Sequence, residues 1–114
     1  MHELAVTQGL LELALRHAGQ AGGVRVTDLH LVIGELASIV DDSVSFYWEH
    51  VCQGTPAEGA RLHFRRVPAE LTCEDCGLRF GWDQVQGACP GCGGARVRVS
   101  DGEQFHLESI EVER

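Results

Sequence analysis

Two Cys-x-x-Cys pairs, Cys73-Glu74-Asp75-Cys76 and Cys89-Pro90-Gly91-Cys92, stand with twelve residues between their inner cysteines. Nothing else in the chain constrains its fold as strongly. Cysteines three positions apart on a tight turn present two thiolates to one point, and two such turns facing each other supply the four ligands of a tetrahedral Zn²⁺. Gly77 follows the first pair and Gly93-Gly94 the second, where a chain folding back around an ion needs positive φ. Sulfur fills every coordination position in such a site, so the ion is expected to hold structure and to perform no chemistry.

Two other readings of the cysteines carry less. A pair of disulfides belongs to an oxidising compartment, yet the opening MHELAVTQGL lacks the basic start and apolar run of a secretory signal. A reducing cytoplasm is the expectation. A redox dithiol uses one Cys-x-x-Cys at a helix start and leaves the second pair without a purpose. The fifth cysteine, Cys52, lies alone in a helical pattern and reads as a small buried hydrophobe.

Around the cysteines lies an ordinary globular pattern. Residues Glu3 to Ala18 carry Leu4, Leu11, Leu15 and Ala18 on one helical face, widened by Leu10, Leu13 and Ala14, and Gly19 with Gly22-Gly23 ends the run. The helix is expected to start almost at the first residue, without a leader before it, and Glu3 sits where a carboxylate favours the helix dipole. Val24 to Ile33 is a strand with a phase change near Asp28. Asp41-Asp42-Ser43 reads as an N-cap cluster opening a second helix through Val44, Tyr47, Trp48 and Val51, stopped by Gly54. Ala60 to Val67 alternates as a second strand, and Gln104 to Val112 is the third, with a phase slip at Ser109. Within the cysteine segment, Leu78 to Trp82 and Ala95 to Val99 read as short strands outside the knuckles.

The fold expected is therefore α/β, two helices packed on a three-stranded sheet with an inserted four-cysteine zinc ribbon. Residues 1–68 plus 102–114 form one domain and residues 69–101 the ribbon. Closing that insertion costs loop entropy that grows slowly with length, and the result is two lobes joined by two chain crossings, with some relative motion. A chain of 114 residues with 44% hydrophobic content supports one modest core, and no apolar run reaches the roughly 20 residues of a membrane span.

The other chemically loaded stretch is Met1-His2-Glu3. An imidazole at position 2 lies within reach of the terminal amine and nearby backbone nitrogens, and planar nitrogen ligation suits Ni²⁺ or Cu²⁺. From position alone, a solvated surface histidine competes strongly with this reading. His17, His30, His50, His63 and His106 share no ligand spacing and read as structural or surface residues.

The MHE opening, the segments VTDLHLVIGELASI and GTPAEGARLHF, and CEDC-x12-CPGC followed by a closing strand resemble the hydrogenase nickel-insertion protein family, HypA/HybF, over nearly the whole chain. The resemblance implies a nickel metallochaperone that delivers Ni²⁺ to the large subunit of a [NiFe] hydrogenase. It implies Met1, His2 and Glu3 as the nickel site and Cys73, Cys76, Cys89 and Cys92 as the structural zinc site. The implied partners are a HypB-type GTPase, the hydrogenase large-subunit precursor and urease accessory proteins. No phosphate loop, nucleophile with a paired base or open metal site suggests an enzyme. A zinc ribbon that binds nucleic acid is the alternative, for which Arg61, Arg65, Arg66, Arg96 and Arg98 are the available cations. A formal net charge of −8 and the absence of any lysine oppose it. A third reading, a ribbon that switches on oxidation or zinc loss, modifies the carrier role rather than replacing it.

Overall fold

The computed structural model describes residues 2–84 and 87–114. The main lobe is a three-stranded sheet in the order β2-β1-β6, covered on one face by two helices. Strand β1 (Arg25–Gly34) is central, parallel to β2 (Arg61–Val67) and antiparallel to β6 (Phe105–Glu113). Helix α2 (Asp41–Val51) makes the β1-to-β2 crossover, and α1 (Glu3–Gln20) packs beside it. A parallel pair cannot be closed by a hairpin, so the helix between these strands is what their pairing requires.

The core lies between the helices and the sheet. Leu10, Ala14 and Ala18 of α1 meet Val26, Leu29 and Leu31 of β1 and Val44, Trp48 and Cys52 of α2. Trp48 is 3% exposed and satisfies its indole N–H on the Ala60 carbonyl at 3.1 Å. Cys52 is an apolar packing residue there. The buried stripe of α1 is rotated from the one its leucines suggest: it runs Thr7, Leu10, Ala14, Ala18, while Leu4 is 45% exposed. Alanines and a threonine face inward because α1 lies close against both α2 and the sheet. The Thr7 hydroxyl is satisfied within the helix by donating to the Glu3 carbonyl.

Both phase slips expected in the strands are present as register shifts in the β1–β6 pairing, which leave Thr27 of β1 and Glu108 of β6 without opposite numbers. On β6 the slip moves the inward positions from Phe105 and Leu107 to Ile110 and Val112, so all four pack against the core. Helix α2 begins differently from expectation. Its N-cap is Val40, with no side-chain cap, and the acidic residues occupy its first turn. Asp41 pairs with Arg66 of β2 instead of capping, and also accepts from the Asp42 amide at 3.0 Å.

The second lobe is its own three-stranded antiparallel sheet, in the order β4-β3-β5: β3 (Glu70–Cys73), β4 (Arg79–Gly81) and β5 (Val97–Asp101). A 3₁₀ turn over Trp82–Gln84 follows β4. The two outer strands were expected; β3, the strand between them, was not. Its four residues directly follow Pro68-Ala69 and are too few to show a period, and the pairing to both neighbours makes them a strand. Leu71, Phe80, Cys73 and Cys89 form a small core with Val97 and Val99 beside them.

The two chain crossings between the lobes are stitched to the end of β1. The Glu35 amide donates to the Val67 carbonyl at 2.8 Å, and the Glu35 carboxylate accepts from the Ala69 amide at 2.7 Å. The Leu36 amide donates to the Gly102 carbonyl at 2.8 Å, and the Gly34 amide to Gln104 at 2.7 Å. Backbone lies on backbone here: a Cβ at Gly34 would stand 2.0 Å from the Gly102 oxygen, and one at Gly102, where φ is +100°, would stand 2.6 Å from the Ala69 Cα.

Candidate functional site

The four cysteines of the two knuckles come together at one end of the second lobe, their sulfurs all within 4.8 Å of one another. Cys73 Sγ and Cys92 Sγ are 3.6 Å apart, and Cys76 Sγ and Cys89 Sγ 3.7 Å. Four sulfurs at about 2.3 Å from one Zn²⁺ would be separated by about 3.8 Å, whereas a disulfide needs about 2.05 Å. These two separations match edges of a zinc tetrahedron, and the cluster contains no disulfide.

The two knuckles are built alike. In the first, the Cys73 amide donates to the Leu78 carbonyl and the Gly77 amide to the Cys73 carbonyl, each at 2.9 Å. In the second, the Cys89 amide donates to Gly94 and the Gly93 amide to Cys89, again at 2.9 Å. Gly77 and Gly93 have φ of 79° and 76°, which a side chain adopts only under strain. The Gly91 amide points at Cys89 Sγ (3.3 Å) and the Gly94 amide at Cys92 Sγ (3.4 Å). The knuckle and β5 are tied by Arg96, whose guanidinium donates twice to Asp75 Oδ1, at 2.6 and 3.0 Å.

The sulfurs divide by environment. The Cys92 and Gly91 backbone N–H groups, helped by the neighbouring thiols, bring the Cys89 thiol down to about 7. At Cys92 the Gly94 N–H pulls in the same direction, but crowding by the Cys73, Cys76 and Cys89 sulfurs overcomes it and pushes the thiol up to about 12. Without a cation, four thiolates at this separation repel one another, and an ion that binds there must displace protons. Cys73 and Cys89 are buried, while Cys76 and Cys92 lie at the surface.

At the other end of the sequence, His2 is exposed and forms the N-cap of α1, its carbonyl accepting from the Val6 amide at 2.9 Å. Glu3 opens the helix, and its Oε2 accepts from the amide of Val40 at 3.2 Å, joining the start of α1 to the start of α2. Met1 lies outside the described residues. His2 and Glu3 are adjacent by sequence, and their neighbourhood on α2 is a feature only the fold supplies.

A family model described as hydrogenase/urease nickel incorporation, metallochaperone, HypA, matches residues 1–112. The chain belongs to the HypA family. It is 43% identical over 114 residues to the hydrogenase maturation factor HypA of Caldanaerobacter subterraneus subsp. tengcongensis, covering 99% of this chain and 100% of that protein. It is 42% identical over 113 residues to the factor of the same name from a strain of Dehalococcoides mccartyi, covering 99% and 95%. Its fold is shared with the solution structure of the Ni metallochaperone HypA from Helicobacter pylori, at a TM-score of 0.69 and 23% identity over 99% of this chain and 98% of that one. The resemblance in the sequence is thereby established, and the chain is a member of a nickel metallochaperone family that serves hydrogenase and urease nickel incorporation.

The arginines that a nucleic-acid ribbon would turn to phosphate are engaged with carboxylates. Arg61 pairs with Asp28, Arg65 with Glu108, Arg66 with Asp41, Arg79 with Glu70, Arg96 with Asp75 and Arg98 with Glu74. Each pair is individually weak, being largely exposed, but together they leave no cationic stripe along these strands to follow a backbone. No helix among the described residues is long and apolar enough to cross a membrane.

Proposed function

We propose that this HypA-family chain is a cytoplasmic carrier, without catalytic turnover, that delivers Ni²⁺ to the large-subunit precursor of a [NiFe] hydrogenase. His2 and Glu3, with the amine and backbone of Met1, hold the cargo ion, and Cys73, Cys76, Cys89 and Cys92 hold a structural Zn²⁺. Residues 1–68 plus 102–114 form the nickel-binding domain and residues 69–101 the zinc-ribbon domain. A HypB-type GTPase and urease accessory proteins are the further partners this role calls for.

The observation that carries the reading is the contrast between the clustered cysteines and the exposed start of α1. Four sulfurs within 4.8 Å of one another can fill every position around a tetrahedral ion, which would keep that ion and leave no place for exchange. The exposed His2, at the tip of α1, can hand an ion on. Bound zinc would fix the two knuckles against each other and so order the second lobe. Glu3 serves both metal and fold: its carboxylate already faces the Val40 amide, so the position of a ligand at the start of α1 is set by α2.

Isothermal titration of the untagged, zinc-loaded protein with Ni²⁺ tests the assignment against His2→Ala. The variant is expected to keep its zinc and lose at least about tenfold in nickel affinity, as removal of a first ligand should exceed the 10-fold lower bound for a supporting one. Equal affinity, stoichiometry and absorption spectrum in the two proteins would remove His2 from the site and the carrier mechanism with it.

A further inference from the structure

The two turns of the cysteine cluster differ in charge. Between its cysteines the first carries Glu74 and Asp75, whereas the second carries Pro90 and Gly91. A Zn²⁺ held by four thiolates has two negative charges left over, so both acidic side chains of the first turn stand beside a centre of their own sign. Like charges at such range repel, and more strongly where water is partly excluded. An offsetting cation there favours the ion.

Asp75 is the acid that reaches the second turn. Its Oδ2 lies against Gly94, where an added Cβ would stand 2.6 Å from that oxygen and 3.2 Å from Cys92 Sγ. The carboxylate and one of the two exposed cysteines therefore meet at the same glycine. On its other side, Asp75 Oδ1 accepts from Arg96 Nη2 at 2.6 Å and from Nε at 3.0 Å. Backbone fixes this approach: the Glu74 amide donates to the Arg96 carbonyl at 2.8 Å, one step beyond the pairing of Cys73 with Val97. Glu74 has a looser counterpart in Arg98, whose Nε is 3.8 Å from Glu74 Oε1.

We propose, on the structural-zinc reading above, that Arg96 is a positioning residue of the four-cysteine centre: it cancels the charge of Asp75 beside Cys92 and so sets how tightly the site keeps a Zn²⁺. A guanidinium has no lone pair to give an ion, so it acts through the carboxylate. Outer partners of this kind tune metal affinity without joining the coordination shell. Removing only the cation is worse than removing the whole pair, because it leaves a charge uncompensated. The cysteine cage can then keep its ion while the chain start exchanges cargo.

The test is the zinc affinity of the reduced, full-length chain, measured by equilibrium competition with a chromogenic chelator. Arg96→Gln keeps a donor for Asp75 and removes the charge. Its affinity is expected to fall about tenfold, the lower end of the range for loss of a supporting group around a metal, since the Arg96 and Asp75 side chains are 69% and 38% exposed. Adding Asp75→Asn to Arg96→Gln should restore affinity to within about threefold of the parent, because no lone charge remains. Arg98→Gln, which leaves the Asp75 pair intact, should weaken binding less than Arg96→Gln. Salt at about 1 M, where screening acts over about 3 Å, should narrow the gap between Arg96→Gln and the parent. An unchanged Arg96→Gln, an equal loss in Arg98→Gln, or a gap indifferent to salt would overturn the proposal. So would a double variant at least as weak as Arg96→Gln, the result a merely structural clamp gives; this comparison still decides if Arg96→Gln alone holds no zinc. A reduced parent chain that takes up no zinc would remove the zinc reading itself, and the role of Arg96 with it.

Discussion

At the scale of single residues, Asp28 shows how a polar side chain is kept in a strand otherwise committed to the core. It is buried, and the hydrogen bond from His63, followed by that from Thr27, holds its carboxyl below the ordinary value of 3.8. A carboxyl whose pKa is lower folded than unfolded stabilises the fold above the unfolded value, and that contribution fades as pH falls through the folded one. Asp28→Asn should accordingly lower the melting temperature at pH 6, and the difference from the parent protein should shrink as the pH is taken below about 3.8. Thermal melts between pH 6 and 3 read this directly; a difference that grew on acidification would reverse the sign. Glu108 follows the same logic on a more exposed surface, depressed first by its bond from Arg65.

At the scale of elements, the end of β1 is where the fold is least forgiving. Gly34 touches the chain returning from the second lobe, and Gly102 on that returning chain touches Ala69 on the outgoing one. Three backbones are layered with no side chain between them. Gly34→Ala would drive a Cβ into the Gly102 carbonyl and is expected to cost at least about 2 kcal/mol, the range for overpacking where neither partner can give way. Urea unfolding followed by tryptophan fluorescence measures it through Trp48, and an unchanged midpoint would show that the junction relaxes easily. The end of the strand at Ile33 was legible in the sequence; the constraint on Gly34, an approach from residue 102, was not. Strand β3 was hidden for a related reason, since four residues become a strand only through neighbours on both sides.

At the scale of the whole molecule the chain is elongated, 55 × 25 × 16 Å, with a Cα radius of gyration of 18.1 Å. A single compact domain of this length would have about 13 Å. The difference is the second lobe, whose apolar core amounts to Leu71, Phe80, two cysteines and two flanking valines. So little buried area leaves the proposed Zn²⁺ of the four cysteines as the expected source of the lobe's order. Stripping the proposed zinc with a chelator is expected to raise amide exchange throughout β3, β4 and β5 and to enlarge the radius of gyration in solution scattering relative to the zinc-loaded protein. The amides of β1, β2 and β6 should keep their protection. Loss of protection in both sheets together would mean that the lobes fold as one unit.

By itself the sequence determined what is local or periodic: both helices, the three main strands with their two slips, the knuckles, and the family to which the MHE start and cysteine spacing point. These follow from spacing along the chain, and spacing survives without a structure. The tertiary structure decided what depends on strands meeting. It set the order β2-β1-β6 and the inward turn of α1 through its small residues. It also drew Asp41 from a cap to Arg66, and it stacked His30 on His63, thirty-three positions apart, because β1 and β2 pair in parallel with these residues in register.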